Sequence, residues 1–220
     1  MGEMVTFQAD GAETKGYLAS GGDGAKAGVV VLQEWWGLVP HIEDIAGRVA
    51  GLGYHALAPD LYHGEKTVEV EEAEHLMNGL DWGRAVAEIK GAVAELRSRG
   101  CEKVGVVGFC MGGALSCLAS ATAGVDAAVA FYGFPPPPNP MDTTCPPTLI
   151  FFGEDEGFFD VDAAKAWAEK QRGAGVEDTS VRVYEGAGHA FFNDTRDSYH
   201  EASAKDAWQR TVAHFKKHLG

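Results

Sequence analysis

The sequence predicts an α/β protein built in three layers, a mostly parallel sheet with helices on both faces. Short apolar runs recur along the chain, at residues 27–32, 103–109, 127–132 and 148–152, which is the pattern of strands buried on both faces. Between them lie segments with apolar residues at helical spacing, such as Ile42, Ile45, Val49 and Leu52. Strands alternating with helices need crossover connections, so the strands run parallel and the helices cover both faces. No internal repeat or linker breaks the alternation. A chain of 220 residues suits one full-sized core, so residues 1–220 read as a single domain.

The elements follow in order. Residues 5–7 and 15–19 form an antiparallel start joined through Asp10-Gly11, a hairpin-turn dipeptide. Residues 27–32 are a central strand, and a helix over 42–52 stops at Gly53. A brief strand at 55–58 ends in Pro59-Asp60-Leu61-Tyr62, and the acidic stretch 65–80 holds a short helical piece near 70–77. Val86, Ile89, Val93 and Leu96 make 84–97 an amphipathic helix. Strand 103–109 runs into a helix of small apolar residues at 114–123. Strands at 127–132 and 148–152 flank the proline run Pro135 to Pro140, an extended, stiff loop. A helix at 163–172, a strand at 181–184 and a closing helix at 202–218 complete the chain.

Charge narrows the function. A net charge of −14 argues against nucleic acid and anionic membrane as partners. No stretch approaches the ~20 apolar residues of a membrane span. Residues 1–10 are acidic and lack the apolar segment of a secretory leader, and the four cysteines show no pairing pattern. The expectation is a cytoplasmic protein. His41, His55, His63 and His75 lack ligand spacing on a common helix face, so neither metal nor cofactor is expected.

The chemistry centres on Gly108-Phe109-Cys110-Met111-Gly112-Gly113, where a strand turns sharply into a helix with a cysteine at the turn. The glycines let strand and helix backbones pass closely, so the central side chain projects from the sheet edge. A helix beginning there aims N–H groups at the sulfur and favours thiolate. In a parallel sheet the loops leaving the carboxyl ends of strands converge on one crevice. Three further loops bring Gln33-Glu34-Trp35-Trp36-Gly37, Gly153-Glu154-Asp155-Glu156-Gly157 and Gly186-Ala187-Gly188-His189 to it. Cysteine, carboxylate and histidine in that chain order are the parts of a nucleophilic relay. Cys110 is the nucleophile, His189 handles its proton, and Asp155, nearest the strand end, orients the imidazole. Asp160 or Asp162 caps the following helix. Glu34, between an apolar strand and two tryptophans, is expected to be desolvated, with a raised pKa suited to proton transfer. The N–H groups of Trp35 and Met111 offer an oxyanion hole. Trp36, Tyr62, Tyr132, Phe134, Phe191 and Phe192 are candidates to line an apolar pocket.

Gln33-Glu34-x-x-Gly37, Pro59-Asp60-Leu61-Tyr62, Gly108-x-Cys110-x-Gly112-Gly113, Tyr132-Gly133, Gly153-x-Asp155 and Ala187-Gly188-His189 together resemble the dienelactone hydrolase family over nearly the whole chain. The resemblance implies an α/β-hydrolase fold with a triad of Cys110, His189 and Asp155. It implies opening of a lactone or small ester through an acyl-enzyme on cysteine, and a monomer, as is common for members of this size. It gives Glu34 the role of a substrate-gated base and Trp35 and Met111 the oxyanion hole. The family holds its substrate carboxylate with an arginine four positions after the histidine, where this chain has Asn193, a candidate substrate contact. It also has an arginine between Tyr62 and the next long helix, where this chain has none. Lys66, Arg84 and Arg196 are the basic groups that remain to substitute.

Overall fold

The computed structural model describes residues 2–137 and 141–220. Among them are eight strands, β1 (Glu3–Ala9), β2 (Ala12–Ala19), β3 (Ala27–Leu32), β4 (His55–Pro59), β5 (Lys103–Phe109), β6 (Ala127–Phe131), β7 (Thr148–Asp155) and β8 (Ser180–Gly188). Six helices accompany them: α1 (Pro40–Ala50), α2 (Val70–Asn78), α3 (Trp82–Ser98), α4 (Met111–Thr122), α5 (Val161–Gly173) and α6 (Glu201–Leu219). The strands form one sheet in the order β1-β2-β4-β3-β5-β6-β7-β8. Strands β1 and β2 pair antiparallel, as does β2 with β4, and the pairings from β4 through β8 are parallel. The expected α/β-hydrolase architecture is the one observed.

Local chemistry explains the boundaries. Helix α1 starts two residues before the expected stretch because Pro40 opens it, a position where the missing N–H costs nothing. Helix α3 starts at Trp82, capped by the Asp81 carboxylate, which accepts from the Arg84 amide at 3.0 Å. Asp160, one of the two expected caps, accepts from the Ala163 amide at 2.9 Å and begins α5. Strands β3 and β6 are buried along their whole length, as a sheet covered on both faces demands. Helix α4 is buried from Met111 through Ser120, so its small residues let it lie against the sheet. The proline loop reaches residues 138–140, which lie outside the described residues. Among the described residues no helix is long and apolar enough to cross a membrane.

Candidate active site

Strand β5 ends at Phe109 and α4 begins at Met111, which leaves Cys110 alone to make the turn. Its backbone is left-handed, with φ 55° and ψ −115°, a strained conformation for a residue carrying a Cβ. The flanking glycines make the turn possible. A Cβ on Gly112 would stand 2.5 Å from the Gln33 carbonyl oxygen, and one on Gly108 would collide with the Gly112 carbonyl. Leu32 and Gly108 pair across β3 and β5, so the loop after β3 meets the start of α4 directly. The Cys110 thiol is accordingly flanked by the backbone N–H groups of Met111 and Trp35, which lower its pKa. Burial opposes them and dominates, and the charge of Glu34 adds to it, so the thiol is pushed well up. The sequence expectation of a helix-stabilised thiolate is therefore corrected for the resting site. Helix and backbone dipoles act on the sulfur, but desolvation of the anion costs more.

Glu34 follows β3 by two residues and is 1% exposed. Tyr132 Oη donates to its Oε1 at 3.0 Å, and Asn193 Nδ2 donates to its Oε2 at 2.5 Å. Burial pushes the Glu34 carboxyl up, against the Tyr132 and Asn193 hydrogen bonds and the nearby His189 and Arg196. The expected desolvation is present. Two residues expected to contact substrate instead grip this carboxylate. Tyr132, fully buried with φ 38°, is held at a strained position just past β6, and its hydroxyl is pushed well above the usual phenol range by burial and by Glu34. Asn193 is 2% exposed, and its Oδ1 also accepts from the Thr195 amide and hydroxyl.

His189 leaves the end of β8, and its Nδ1 lies 2.9 and 3.1 Å from the two carboxylate oxygens of Glu156. Glu156, rather than Asp155, is the carboxylate on the imidazole. Strand β7 runs three residues beyond the expected 148–152, so Asp155 is its last residue, pairs with Gly188 and is exposed. Glu156 is the next residue, and successive side chains leave a strand in opposite directions. Its side chain is 1% exposed and accepts from the Phe158 and Phe159 amides at 2.8 and 3.3 Å. In the sequence Glu154, Asp155 and Glu156 are adjacent carboxylates on one loop, and closeness to the expected strand end favours Asp155. The expected strand end falls too early because the polar pair Glu154-Asp155 closes the apolar run while the strand itself continues through Asp155.

The remaining candidates separate. Tyr62 Oη donates to Met111 Sδ at 3.3 Å, and Gln33 Oε1 accepts from the Leu61 amide, which ties the Pro59-Asp60-Leu61-Tyr62 turn to the elbow. Trp36 meets Trp35 edge to face at 5.1 Å, and the Arg196 guanidinium lies 3.8 Å from a Trp36 ring centroid. Phe191 and Phe192 are buried among core aromatics, against Tyr132 and Tyr184 and against Phe109 and Phe131 respectively. Phe134 is buried against Trp167 of α5. All three are packed among core aromatics, with Phe134 keeping slightly more exposure than the other two. Of the basic candidates, Arg84 is paired with Glu88 at 3.1 Å, and exposed Lys66 sits where Gly37 and Lys66 bridge antiparallel. Arg196 lies on Trp36 within electrostatic reach of Glu34, with no hydrogen bond or ion pair from its guanidinium to a described residue.

A model of the family described as "Dienelactone hydrolase family" matches residues 14–219. Protein usf of Aquifex pyrophilus is 38% identical over 233 residues, covering all of both chains. A protein of Aquifex aeolicus (strain VF5), provisionally named carboxymethylenebutenolidase, is 33% identical over 232 residues, again covering both chains fully. The crystal structure of a provisionally named dienelactone hydrolase from Klebsiella pneumoniae superposes with a TM-score of 0.86 at 28% identity, over 99% of each chain.

Proposed function

The chain belongs to the dienelactone hydrolase family, and from that membership we propose that it is a carboxylic ester hydrolase that opens a small lactone or ester through a thioester on Cys110. The observation that carries the reading is the strained Cys110 turn, with its sulfur between two backbone N–H groups and a Glu156–His189 pair at the neighbouring strand ends.

The resting thiol is held protonated by burial and by Glu34. The Trp35 and Met111 N–H groups cannot serve both the sulfur and a substrate oxygen. A bound carbonyl therefore takes them as its oxyanion hole, and the sulfur turns toward the carbonyl carbon. Glu34, whose raised pKa suits it to hold a proton, takes the one on sulfur. A C–S bond forms, the C–O bond breaks, and the leaving oxygen departs with that proton, which reaches it from Glu34 by way of His189 Nε2. Water then occupies the vacated place. His189 Nε2 removes a proton from it, Glu156 fixes the tautomer through Nδ1, and attack on the thioester releases the acid. The imidazolium returns its proton to the sulfur, and the cycle closes.

Arg196, stacked on Trp36 and uncommitted to a described carboxylate, is the group available for a substrate carboxylate in place of the arginine that Asn193 replaces. Residues 1–220 are further read as one domain, acting as a cytoplasmic monomer without cofactor on a small molecule. One continuous sheet and four free cysteines support this reading. The test is turnover of a dienelactone and of a neutral short-chain activated ester by wild type, Cys110→Ala and Arg196→Ala. Cys110→Ala is expected to abolish both activities. Arg196→Ala is expected to lower kcat/KM about tenfold for the dienelactone only, the worth of one charge-assisted hydrogen bond. Undiminished turnover in Cys110→Ala would refute the thioester route.

A further inference from the structure

The most exposed large apolar side chain among the described residues is Phe158, at 70%. It does not lie on a remote surface. Its ring centroid is 4.6 Å from that of His189, whose imidazole also meets Tyr132 at 5.1 Å and Phe159 at 6.0 Å. Of these three rings Tyr132 is fully buried and Phe159 is half-buried, so Phe158 is the one that presents a face to solvent.

The position of Phe158 is anchored. Its amide donates to Glu156 Oε1 at 2.8 Å, and Oε2 of the same carboxylate lies 2.9 Å from His189 Nδ1. One buried carboxylate thus sets both the imidazole and the stretch of backbone that carries Phe158, which keeps the ring within reach of the imidazole. Resting on the hydrolase reading above, the chemistry then says which part of the substrate it meets. Deacylation is acylation run with water in the place of the leaving alcohol. The imidazole that activates the water therefore stands where the leaving oxygen departs, and a group in ring contact with that imidazole borders the leaving group.

We propose that Phe158 is a specificity-determining residue, an aromatic platform that selects lactones or esters whose leaving side is a flat, apolar, unsaturated or aryl group. A ring stacked on such a group gains contact area and a favourable aromatic geometry, whereas a methoxy leaving group reaches little of it. The Phe158 ring moves no proton, and the amide bond to Glu156 is backbone and survives substitution, so the effect of the side chain belongs in KM.

The test compares phenyl and methyl esters of one acid in wild type, Phe158→Ala and Phe158→Tyr. The high exposure of Phe158 makes both variants safe for folding. Phe158→Ala is expected to raise KM for the phenyl ester about fivefold to tenfold, to leave kcat and the methyl ester within twofold, and Phe158→Tyr is expected to restore wild-type selectivity. A second readout needs no turnover: the ratio of Cys110 alkylation rates by N-phenylmaleimide and N-methylmaleimide. That ratio is expected to fall by a similar factor in Phe158→Ala. Equal changes for both esters together with an unchanged alkylation ratio would overturn the platform. A wild type that hydrolyses neither ester, yet shows the alkylation preference and its loss in Phe158→Ala, would overturn the hydrolase reading and keep the platform.

Discussion

Replacing Glu156 by Gln tests the carboxylate assignment sharply, because the surrounding hydrogen bonds dictate how the amide must sit. Glu156 Oε1 accepts from the Phe158 amide at 2.8 Å and from the Phe159 amide at 3.3 Å. A glutamine keeps its carbonyl oxygen there, since turning the NH₂ toward two N–H donors would set donor against donor and forfeit both bonds. The NH₂ is then forced onto the position of Oε2, 2.9 Å from His189 Nδ1. That nitrogen becomes an acceptor, the ring proton moves to Nε2, and the imidazole loses the lone pair that water activation needs. Loss of the charge-assisted bond alone is worth roughly 1.5–3 kcal/mol, about 10-fold to 150-fold in rate. The tautomer error extends the expected loss toward about 10⁴-fold. The exposed Asp155→Asn serves as control and is expected to remain within about twofold, as surface substitutions usually do. The assay is kcat and the burst of an activated aryl ester at neutral pH, with deacylation slowed more than acylation. Glu156→Gln within threefold of wild type, with Asp155→Asn crippled, would refute the reasoning.

Two further outcomes concern charge. Burial is the main cause of the raised Cys110 pKa and the negative charge of Glu34 adds to it, so Glu34→Gln is expected to shift the pH profile of Cys110 alkylation to lower pH while ester turnover falls. An unmoved profile would show that the carboxylate and the thiol do not sense one another. His214, buried on α6 with Nε2 3.1 Å from the Pro147 carbonyl oxygen, is held down to about 4 from 6.5 by burial and by the nearby His218. The unfolded chain therefore binds the extra proton first. The stability due to a neutral His214 is complete above about pH 6.5 and is lost as the pH falls toward 4, by about 3 kcal/mol in all. Denaturant titrations across that range are expected to show the slope, and His214→Gln, which can still donate to Pro147, is expected to flatten it.

Much of this molecule is determined locally and can be read from the chain. The valine-rich runs at residues 27–32 and 103–109 specify strands buried on both faces, and the pattern holds because side-chain hydrophobicity must match two covered surfaces. The glycines around Cys110 announce the strained turn, because only residues without a Cβ permit the backbone approaches found there. The order of cysteine, carboxylate and histidine places the chemistry at one edge of the sheet. What the tertiary structure decided is which neighbour does what. Asp155 and Glu156 are adjacent carboxylates, and only the pairing of Asp155 with Gly188 sends one to solvent and the other to the imidazole. Tyr132 and Asn193 lie 61 positions apart in the sequence and meet on Glu34, a contact no local pattern encodes. The thiol's protonation likewise depends on how deeply the fold buries it, and burial is a sum over distant residues. Local sequence determines which groups the site can contain. Long-range packing determines which of them touch, and touching sets pKa, tautomer and role.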